Sequence, residues 1–306
     1  MLDPVELFPE VPNLYEFPSV HADMVFDERR VESYQKAINA TVKKGDVVVD
    51  VGAGTGLLTF LSLQAGAARV HAIERSPVIK WAEKLAEKNG FSDRIVFHNS
   101  DARDVDIDEK ADVIVSELIG HLAFEEGMAE TISDTKEKFL AKNGRVIPSV
   151  VTLFAAPVSE KEIYSAYIDC WETVWGIDFS VMREQAVKSC YIVDLSENDL
   201  MSERQRVCSI DFRIDNSLQM EFDRTFSVFR SGEINGIALW FNAELVENVR
   251  LSSDPWTKTH WKQCFVPLPR PLKITQHEHI NLKFDMHFRT RANDKFVFSM
   301  DAEKVS

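Results

Sequence analysis

A strand that runs into a glycine-rich turn constrains the fold of this chain more than any other feature. The apolar run Val47–Val51 is followed by Gly52-Ala53-Gly54-Thr55-Gly56, and then by a segment with helical periodicity. Glycines supply unusual backbone dihedrals and let the backbone approach a ligand closely. The spacing is G-x-G-x-G, one residue shorter than the dinucleotide pattern G-x-G-x-x-G. This unit predicts an open α/β sheet that binds its ligand at the carboxyl ends of the strands.

The chain divides into two parts with different patterns of predicted secondary structure. Strands and helices alternate up to about Pro148, which is typical of a parallel sheet covered on both faces. In this half we expect helices over residues 27–44 and 126–140, the second closed by Lys142-Asn143-Gly144. Beyond it, β-rich segments predict an antiparallel barrel or sandwich; they are residues 150–155, 207–214, 237–245, 281–288 and 295–300. We therefore predict two domains, residues 1–148 and 149–306.

Acidic residues follow the next two strands of the predicted parallel sheet. Residues 69–73 end at Glu74, where a carboxylate can accept hydrogen bonds from two ribose hydroxyls. Residues 94–98 lead to Asp101 and Ala102, where Asp101 is placed to accept a hydrogen bond from an adenine amino group. Together with the glycine-rich turn, these acids predict a nucleoside cofactor.

Two glutamates follow a further apolar run. Glu117 comes after residues 111–115, and Glu126 lies where the next helix is expected to begin. Two carboxylates at this edge of the sheet can form paired hydrogen bonds with a planar guanidinium group. The alternative is that one glutamate is a helix N-terminal acid favoured by the helix dipole and the other is solvated.

These motifs, with the tripeptide Thr259-His260-Trp261 downstream, resemble the protein arginine methyltransferase family from about Tyr15 to the C-terminus. The resemblance implies an α/β fold: a Rossmann-like class I methyltransferase domain, then a mainly antiparallel β-barrel with a helical dimerisation arm at about residues 162–188. It also implies S-adenosyl-L-methionine as the cofactor and S-adenosyl-L-homocysteine as its product. The implied enzyme is a methyltransferase that acts on a guanidino nitrogen of arginine in a protein or peptide.

The same resemblance assigns the site residues. Those with implied catalytic roles are Glu117, Glu126, His260 and Asp27, the last paired with His260. Those implied to bind the cofactor are Met24, Arg30, Asp50, Gly52, Gly54, Gly56, Glu74, Asp101, Ala102 and Glu117, with Arg30 on the methionine carboxylate. Those implied to bind the substrate are Tyr15, Met128 and Trp261. Methionines on helices are often gap-fillers in a core, and His260 can be either a proton acceptor or a structural tie.

Several positions depart from the family pattern. They are Val11 and Pro12 in place of an aromatic pair, Leu118, Ile119 and His121 in the glutamate loop, and Arg103 where the family often has an acid that contacts adenine. These departures keep a small-molecule substrate, free arginine or another amine, as an alternative. A non-catalytic scaffold is a second alternative, and the presence of both glutamates and Arg30 argues against it.

Charge and cysteine content bound the partners and the compartment. The net charge of −14 argues against nucleic acid as a partner, because backbone binding needs clustered lysine and arginine. An acidic surface can steer a basic substrate, but many proteins are simply acidic. The 4 cysteines have no metal-ligand spacing, which indicates reduced thiols in a cytoplasmic enzyme without a metal. The chain contains neither a signal-peptide pattern nor an apolar run of about 18 residues, so we expect no membrane span.

An aromatic-rich insert interrupts the β-rich half. Residues 162–177 have a helical pattern and include Trp171 and Trp175. Exposed aromatic clusters usually mark interfaces, so we expect a homodimer. The alternative is that both tryptophans pack into the core of their own chain.

Overall fold

The amino-terminal half is organised around a parallel sheet. In this computed structural model, which describes residues 18–214, 219–220, 223–287 and 297–305, the strands are β1 (Val47–Val51), β2 (Arg69–Ile73), β3 (Ile95–His98), β4 (Ala111–Ser116) and β5 (Leu140–Ile147). Their order is β3-β2-β1-β4-β5, and all neighbouring pairs are parallel. The chain order reverses between β1 and β4, and ligands bind at such a point in open α/β sheets.

Helices cover this sheet and extend into the second half. They are α1 (Pro18–Val25), α2 (Glu28–Thr41), α3 (Leu57–Ala65), α4 (Ile79–Asn89), α5 (Met128–Phe139), α6 (Lys161–Tyr167) and α7 (Ser180–Ala186). The predicted helix over residues 27–44 is confirmed as α2, which buries Tyr34 and Ile38 on one face. Within the described ranges, none of the helices has the length and apolar character that a bilayer crossing requires.

The helix after the glutamate loop ends within one residue of its predicted end, but the predicted closing turn lies within a strand. That helix, α5, ends at Phe139, and residues 142–144 lie inside β5 instead of forming a closing turn. The backbone of β5 pairs with β4, from Leu140 opposite Ala111 to Ile147 opposite Val115. The register shifts between Ala111 and Val113, where Arg145 is the next paired residue of β5, so the Lys-Asn-Gly sequence lies in an irregularity of the strand opposite Asp112.

The second half is antiparallel, as predicted. One sheet contains β6 (Val150–Val158), β9 (Tyr191–Val193), β10 (Gln205–Asp211), β11 (Gln219–Met220), β13 (Gly232–Val246), β14 (Val249–Ser252) and β15 (Gln263–Ile274). The strand order in this sheet is β11-β10-β6-β13-β15-β9, and β14 pairs with β13. A smaller sheet has the order β12-β16-β17 and consists of β12 (Asp223–Ser227), β16 (His279–His287) and β17 (Val297–Val305). Leu153, Phe241 and Leu282 are among the buried residues that join both sheets in one core.

The insert between β6 and β9 is only partly helical. It contains α6, a 3₁₀ turn at Asp169–Trp171, a hairpin of β7 (Thr173–Val174) and β8 (Ile177–Asp178), and α7. The hairpin turn is Trp175-Gly176, and both residues have positive φ angles of 54° and 78°. Trp171 is partly buried against the core of its own chain, whereas Trp175 is 96% exposed. Trp171 therefore agrees with the alternative of packing in its own chain, and Trp175 is exposed as the interface prediction requires.

Candidate active site

The glycine-rich turn shapes the first wall of the site. Gly52, Gly54 and Gly56 have φ angles of 75°, 54° and 86°, and such positive φ values strain any residue with a side chain. The backbone N–H of Gly52 donates to the Ile73 carbonyl at 2.9 Å, so the turn folds back over the end of β2. A Cβ atom on Gly52 would lie 2.6 Å from Cδ2 of Leu118, which leaves no room for a side chain.

Glu74 lies at the end of β2, as the sequence predicts, and faces the glycine turn. Its Oε2 accepts a hydrogen bond from the N–H of Gly54 at 3.0 Å, and its Oε1 accepts one from the N–H of Ser76 at 2.7 Å. A carboxylate has about four lone-pair positions, so each oxygen can still accept from a ribose hydroxyl. Glu74 is therefore both fixed in place and able to bind a ligand.

Asp50 lies beneath the glycine turn and is fully buried. Thr59 of α3 donates its hydroxyl hydrogen to Oδ2 of Asp50 at 2.6 Å. Burial raises the pKa of Asp50 to about 7, although the hydrogen bonds from Thr59 oppose the shift. Oδ1 of Asp50 is buried and has no hydrogen-bond partner among the described residues. The side chain holds the turn against α3, and a direct cofactor contact stays a prediction.

Asp101, the predicted hydrogen-bond acceptor for adenine, forms a salt bridge with Arg103. Arg103 donates from Nε to Oδ1 and from Nη2 to Oδ2 of Asp101, both at 2.8 Å. The pKa of Asp101 falls to about 2, chiefly because of this side-chain hydrogen bonding, while burial opposes the shift. Ala102 is buried beside it. A salt bridge thus occupies much of the edge where the sequence predicts adenine.

Glu117 holds a guanidinium group, which is the type of group the sequence predicts for it, but the group belongs to Arg30. Arg30 places Nε at 2.7 Å and Nη2 at 2.6 Å from Oε2 of Glu117. The Glu117 side chain is 5% exposed and that of Arg30 is 9% exposed. Arg30 also donates from Nη1 to the Met24 carbonyl at 3.0 Å, and the Ile119 N–H donates to Oε1 of Glu117 at 3.1 Å. One buried network therefore joins two residues that the sequence assigns to different ligands.

The two adjacent glutamates later in the loop have different surroundings. Glu126 is exposed, whereas Glu125, which sequence reasoning missed, is buried. Oε1 of Glu125 accepts a hydrogen bond from the N–H of Leu122 at 2.9 Å, and its Oε2 has no partner among the described residues. A Cβ atom on Gly120 would lie 2.2 Å from the Glu125 carboxyl group, so the glycine makes room for it. Burial raises the pKa of Glu125 to about 8, and the charge of Glu126 adds to the shift.

Asp27 and His260 pair as the resemblance implies. Oδ2 of Asp27 lies 2.8 Å from ring Nδ1 of His260 and accepts a hydrogen bond from the His260 N–H at 2.9 Å. Oδ1 of Asp27 caps α2 by accepting from the N–H of Arg30 at 3.0 Å. Burial opposes ionisation of Asp27, but the hydrogen bonds from His260 and Arg30 keep its pKa below the usual value.

Trp261 ties the second half of the chain to the glutamate loop. Its Nε1 donates to the Ile119 carbonyl at 2.6 Å, and Nδ1 of His121 lies 2.8 Å from the Trp261 carbonyl oxygen. The indole is buried and packs edge-on against Phe241 with ring centroids 5.0 Å apart. These contacts make Trp261 a structural link, and its contact with the substrate stays a prediction.

The remaining predicted residues are placed as follows. Met128, the first residue of α5, is fully buried in the core, which is the alternative that the sequence left open. Met24 is half-buried and supplies its carbonyl to Arg30. Tyr15, Val11 and Pro12 lie outside the described residues. Among the described residues, no cluster of histidine, cysteine and acidic side chains is arranged to hold a metal ion.

Family comparisons match both halves of the chain. Residues 150–303 match the family described as "Arginine methyltransferase oligomerization subdomain", and residues 42–207 match "Methyltransferase domain". The chain is 33% identical over 279 residues to "Protein arginine N-methyltransferase 6" of Xenopus laevis, covering 86% of this chain and 82% of that protein. It is 32% identical over 279 residues to "Histone-arginine methyltransferase CARMER" of Drosophila persimilis, of which it covers 52%.

Solved structures share the fold. The complex described as "Trypanosoma brucei PRMT1 enzyme-prozyme heterotetrameric complex with AdoHcy" superposes with a TM-score of 0.86 at 22% identity, covering 95% of both chains. Arabidopsis thaliana Protein Arginine Methyltransferase 10 gives a TM-score of 0.80 at 22% identity, covering 95% of this chain and 94% of the other. At this level of identity the match concerns the fold alone.

Proposed function

The chain belongs to the protein arginine N-methyltransferase family, and from that premise we propose that it methylates a guanidino nitrogen of arginine in a protein or peptide, with S-adenosylmethionine as the donor. One observation carries the proposal: Glu117, at the end of β4, binds a guanidinium group, that of Arg30, in a buried setting. Both Arg30 contacts go to Oε2, and Oε1 accepts from the Ile119 N–H, so Oε1 keeps a lone pair for a second guanidinium group.

The cofactor site fits a nucleoside with a charged amino-acid tail. Glu74 has acceptor positions for the ribose hydroxyls, and Arg30 is a cation that can bind a carboxylate. The glycine turn lacks side chains, so its backbone can approach the ligand closely. S-adenosylmethionine, when bound, supplies a methyl group activated by a sulfonium centre. The residues of the chain must then mainly orient the acceptor, which can lower the barrier by several kcal/mol, with about 7–11 kcal/mol as the upper range.

The glutamates address the weakness of arginine as a nucleophile. A guanidinium group stays protonated at ordinary pH, because its pKa lies above about 12. In our proposal Glu117 and Glu126 bind two of its nitrogens and draw the positive charge toward themselves, so electron density builds on the third nitrogen. Arg30 shares Glu117 with the substrate in this arrangement, because it lies 2.6 Å from Oε2 of Glu117 in the same buried network.

The proton released on methyl transfer needs an acceptor. His260 is the candidate, because Asp27 holds its Nδ1 at 2.8 Å and so leaves Nε2 as the second ring nitrogen. In the alternative role, His260 ties the two domains together through the same contact. In the proposed division of labour, residues 1–148 bind the cofactor and supply the two glutamates, and residues 149–306 form the substrate domain, with the Asp27–His260 pair between the two parts.

The arm supports a homodimer as the working form. Its exposed apolar residues are Tyr167, Trp175, Ile177, Val181 and Met182, and the matched family description refers to oligomerisation. The four cysteines are free, which fits a cytoplasmic, reducing location.

A transfer assay tests the proposed function. The wild-type protein is incubated with donor labelled in the methyl group and with an arginine-rich peptide, the same peptide with lysine in place of arginine, or free arginine. We expect label only on the arginine peptide, and mass spectrometry locates it. Label on free arginine alone would favour the small-molecule alternative, and no transfer to any acceptor would contradict the proposal.

Two variants assign the glutamates in that assay. Glu126→Gln and Glu117→Gln should each reduce turnover by a factor of about 10² or more, because each removes charge stabilisation from the transition state. S-adenosylhomocysteine affinity, measured by calorimetry, should change little in Glu126→Gln. A turnover close to wild type in both variants would remove the glutamates from the mechanism.

A further inference from the structure

Arg103 connects two parts of the site that lie on different elements. Besides its contacts with Asp101, it donates from Nη1 to Oε2 of Glu130 at 3.2 Å, and Glu130 lies in the first turn of α5. Its side chain is 19% exposed, so the pairing is shielded from solvent on most sides. The pairing therefore connects the turn after β3 to the start of α5.

The contact continues along α5. Glu130, Asp134 and Lys138 are spaced four residues apart and so lie on one face of the helix. The charges of Glu130 and Asp134 both raise the pKa of Arg103, after the larger effect of its hydrogen bond to Asp101 and against burial. Lys138 donates to the backbone carbonyl of Arg103. The turn of Ala102–Asp104 is therefore bound to α5 over two helical turns.

Arg103 also sets the direction of Asp101. Oδ1 of Asp101 accepts from both N and Nε of Arg103, at 2.9 and 2.8 Å, whereas Oδ2 accepts, within the described part of the chain, from Nη2 alone. Each carboxylate oxygen has two lone pairs, so Oδ2 keeps one free position. Asn99, two residues before Asp101, donates from Nδ2 to the Glu74 carbonyl at 3.0 Å, so the segment that carries Asp101 lies beside the end of β2.

The other end of this connection is the glutamate loop. α5 begins at Met128, directly after Glu126 and Gly127, so any shift of its first turn moves Glu126. We propose that Arg103 is a positioning residue that aims Asp101 at the adenine amino group and, through Glu130, couples occupancy of the adenine edge to the placement of the glutamate loop. The inference rests on the proposed function for its ligands, but Arg103 and Glu130 themselves have no part in the proposed reaction.

Binding measurements on the intact protein test whether Arg103 orients Asp101 toward the adenine amino group. In Arg103→Gln, the dissociation constant for S-adenosylhomocysteine should rise about tenfold or more, as expected for loss of charge-assisted hydrogen bonds. The analogue with inosine in place of adenosine, which lacks the amino group, should bind wild type and Arg103→Gln alike. Equal weakening for both ligands, or no weakening, would overturn the proposed aiming of Asp101.

The chain contains a matched control. Arg213 makes the same pattern of contacts, with N and Nε on Oδ1 and Nη2 on Oδ2 of Asp211, and Nη1 on Glu244. Arg213→Gln therefore removes an equivalent ion-pair cluster outside the site and should leave both dissociation constants unchanged. An effect equal to that of Arg103→Gln would show that the change acts through general stability.

A double-mutant cycle tests the coupling. Arg103→Gln and Glu130→Gln should each lower kcat for the arginine peptide, and the double variant should be no worse than the more damaged single variant, because both remove one connection. Additive losses would contradict the coupling. If Arg103→Gln does not fold, Arg103→Lys serves instead, because it keeps the charge and loses the fork. The proposed function fails separately, if wild type transfers no methyl group.

Discussion

Burial gives Glu125 a different chemistry from its neighbour Glu126. The carboxyl of Glu125 lies under Gly120, where only one oxygen has a hydrogen bond among the described residues. Its pKa is raised from 4.5 to about 8 by burial, against the hydrogen bond from Leu122 and with the help of the Glu126 charge. At neutral pH the Glu125 carboxyl is therefore mostly protonated.

A pH dependence of stability follows. Because the folded-state pKa is raised, the contribution of Glu125 is complete below about pH 4.5 and is lost as the pH rises toward about 8, at no more than about 1.4 kcal/mol per pH unit. Glu125→Gln, which is neutral at every pH, should show a smaller loss of unfolding free energy between about pH 5 and about pH 9. Urea denaturation at both pH values measures this difference.

The comparison has an internal control. Asp50 also has a raised pKa, about 7, so it lowers the free energy of unfolding over a lower pH range in both wild type and Glu125→Gln. Only the difference between wild type and Glu125→Gln therefore reports on Glu125. Identical pH profiles for the two proteins would show that Glu125 is ionised in the folded state.

At the scale of single elements, the N-terminus of α2 links the two halves of the molecule. Asp27 caps the helix through the N–H of Arg30 and binds both His260 N–H and Nδ1. Asp27→Ala should lower the free energy of unfolding by about 1 kcal/mol because the helix cap is lost, within a range of about 0.5–2 kcal/mol. Loss of the hydrogen bonds between His260 and the charged carboxylate should lower it by a further amount of about 1.5–3 kcal/mol.

Asp27→Ser separates the two contributions. Serine is a good N-cap residue but is too short and neutral to replace the carboxylate opposite His260. Its unfolding free energy, measured by denaturant titration, should lie between those of wild type and Asp27→Ala. If Ser and Ala variants are equally destabilised, the cap contributes nothing, and if Ser matches wild type, the His260 contact contributes nothing.

Strand β15 is not among the β-rich segments expected from the sequence. Its run Val266-Pro267-Leu268-Pro269-Arg270-Pro271 argues against a central strand, because proline cannot donate to a ladder. The structure accommodates it with an irregularity: Pro267 pairs with Gly236 and Leu272 with Ile234, so the residues between them face a single residue, Asn235. Such a bulge depends on the partner strand and leaves no local signal.

At the scale of the whole molecule, the arm is the proposed site of dimerisation. Trp175 is held outward by a tight hairpin turn and is 96% exposed. If it anchors a homodimer, Trp175→Ser should weaken dimerisation by at least about 2 kcal/mol, or about 30-fold, as for a central interface tryptophan. Sedimentation velocity over a concentration series measures the shift.

Ile214 provides the matched control, because it is also exposed and apolar but lies outside the arm. Ile214→Ser should leave the association unchanged. Equal weakening in both variants would indicate a different interface, and a monomeric wild-type protein would contradict the homodimer.

The periodicity and motifs of the chain are enough to predict the parallel sheet, the antiparallel second half, the glycine turn, Glu74 and the glutamate loop, because each depends on residues close in sequence. The pairing of Arg30 with Glu117, the Arg103 connection and the contrast between Glu125 and Glu126 were not predictable. Each joins residues far apart in the chain, or depends on which of two adjacent side chains faces the core. Only the packing of distant elements sets those contacts, because burial and charge neighbours arise when the chain has folded.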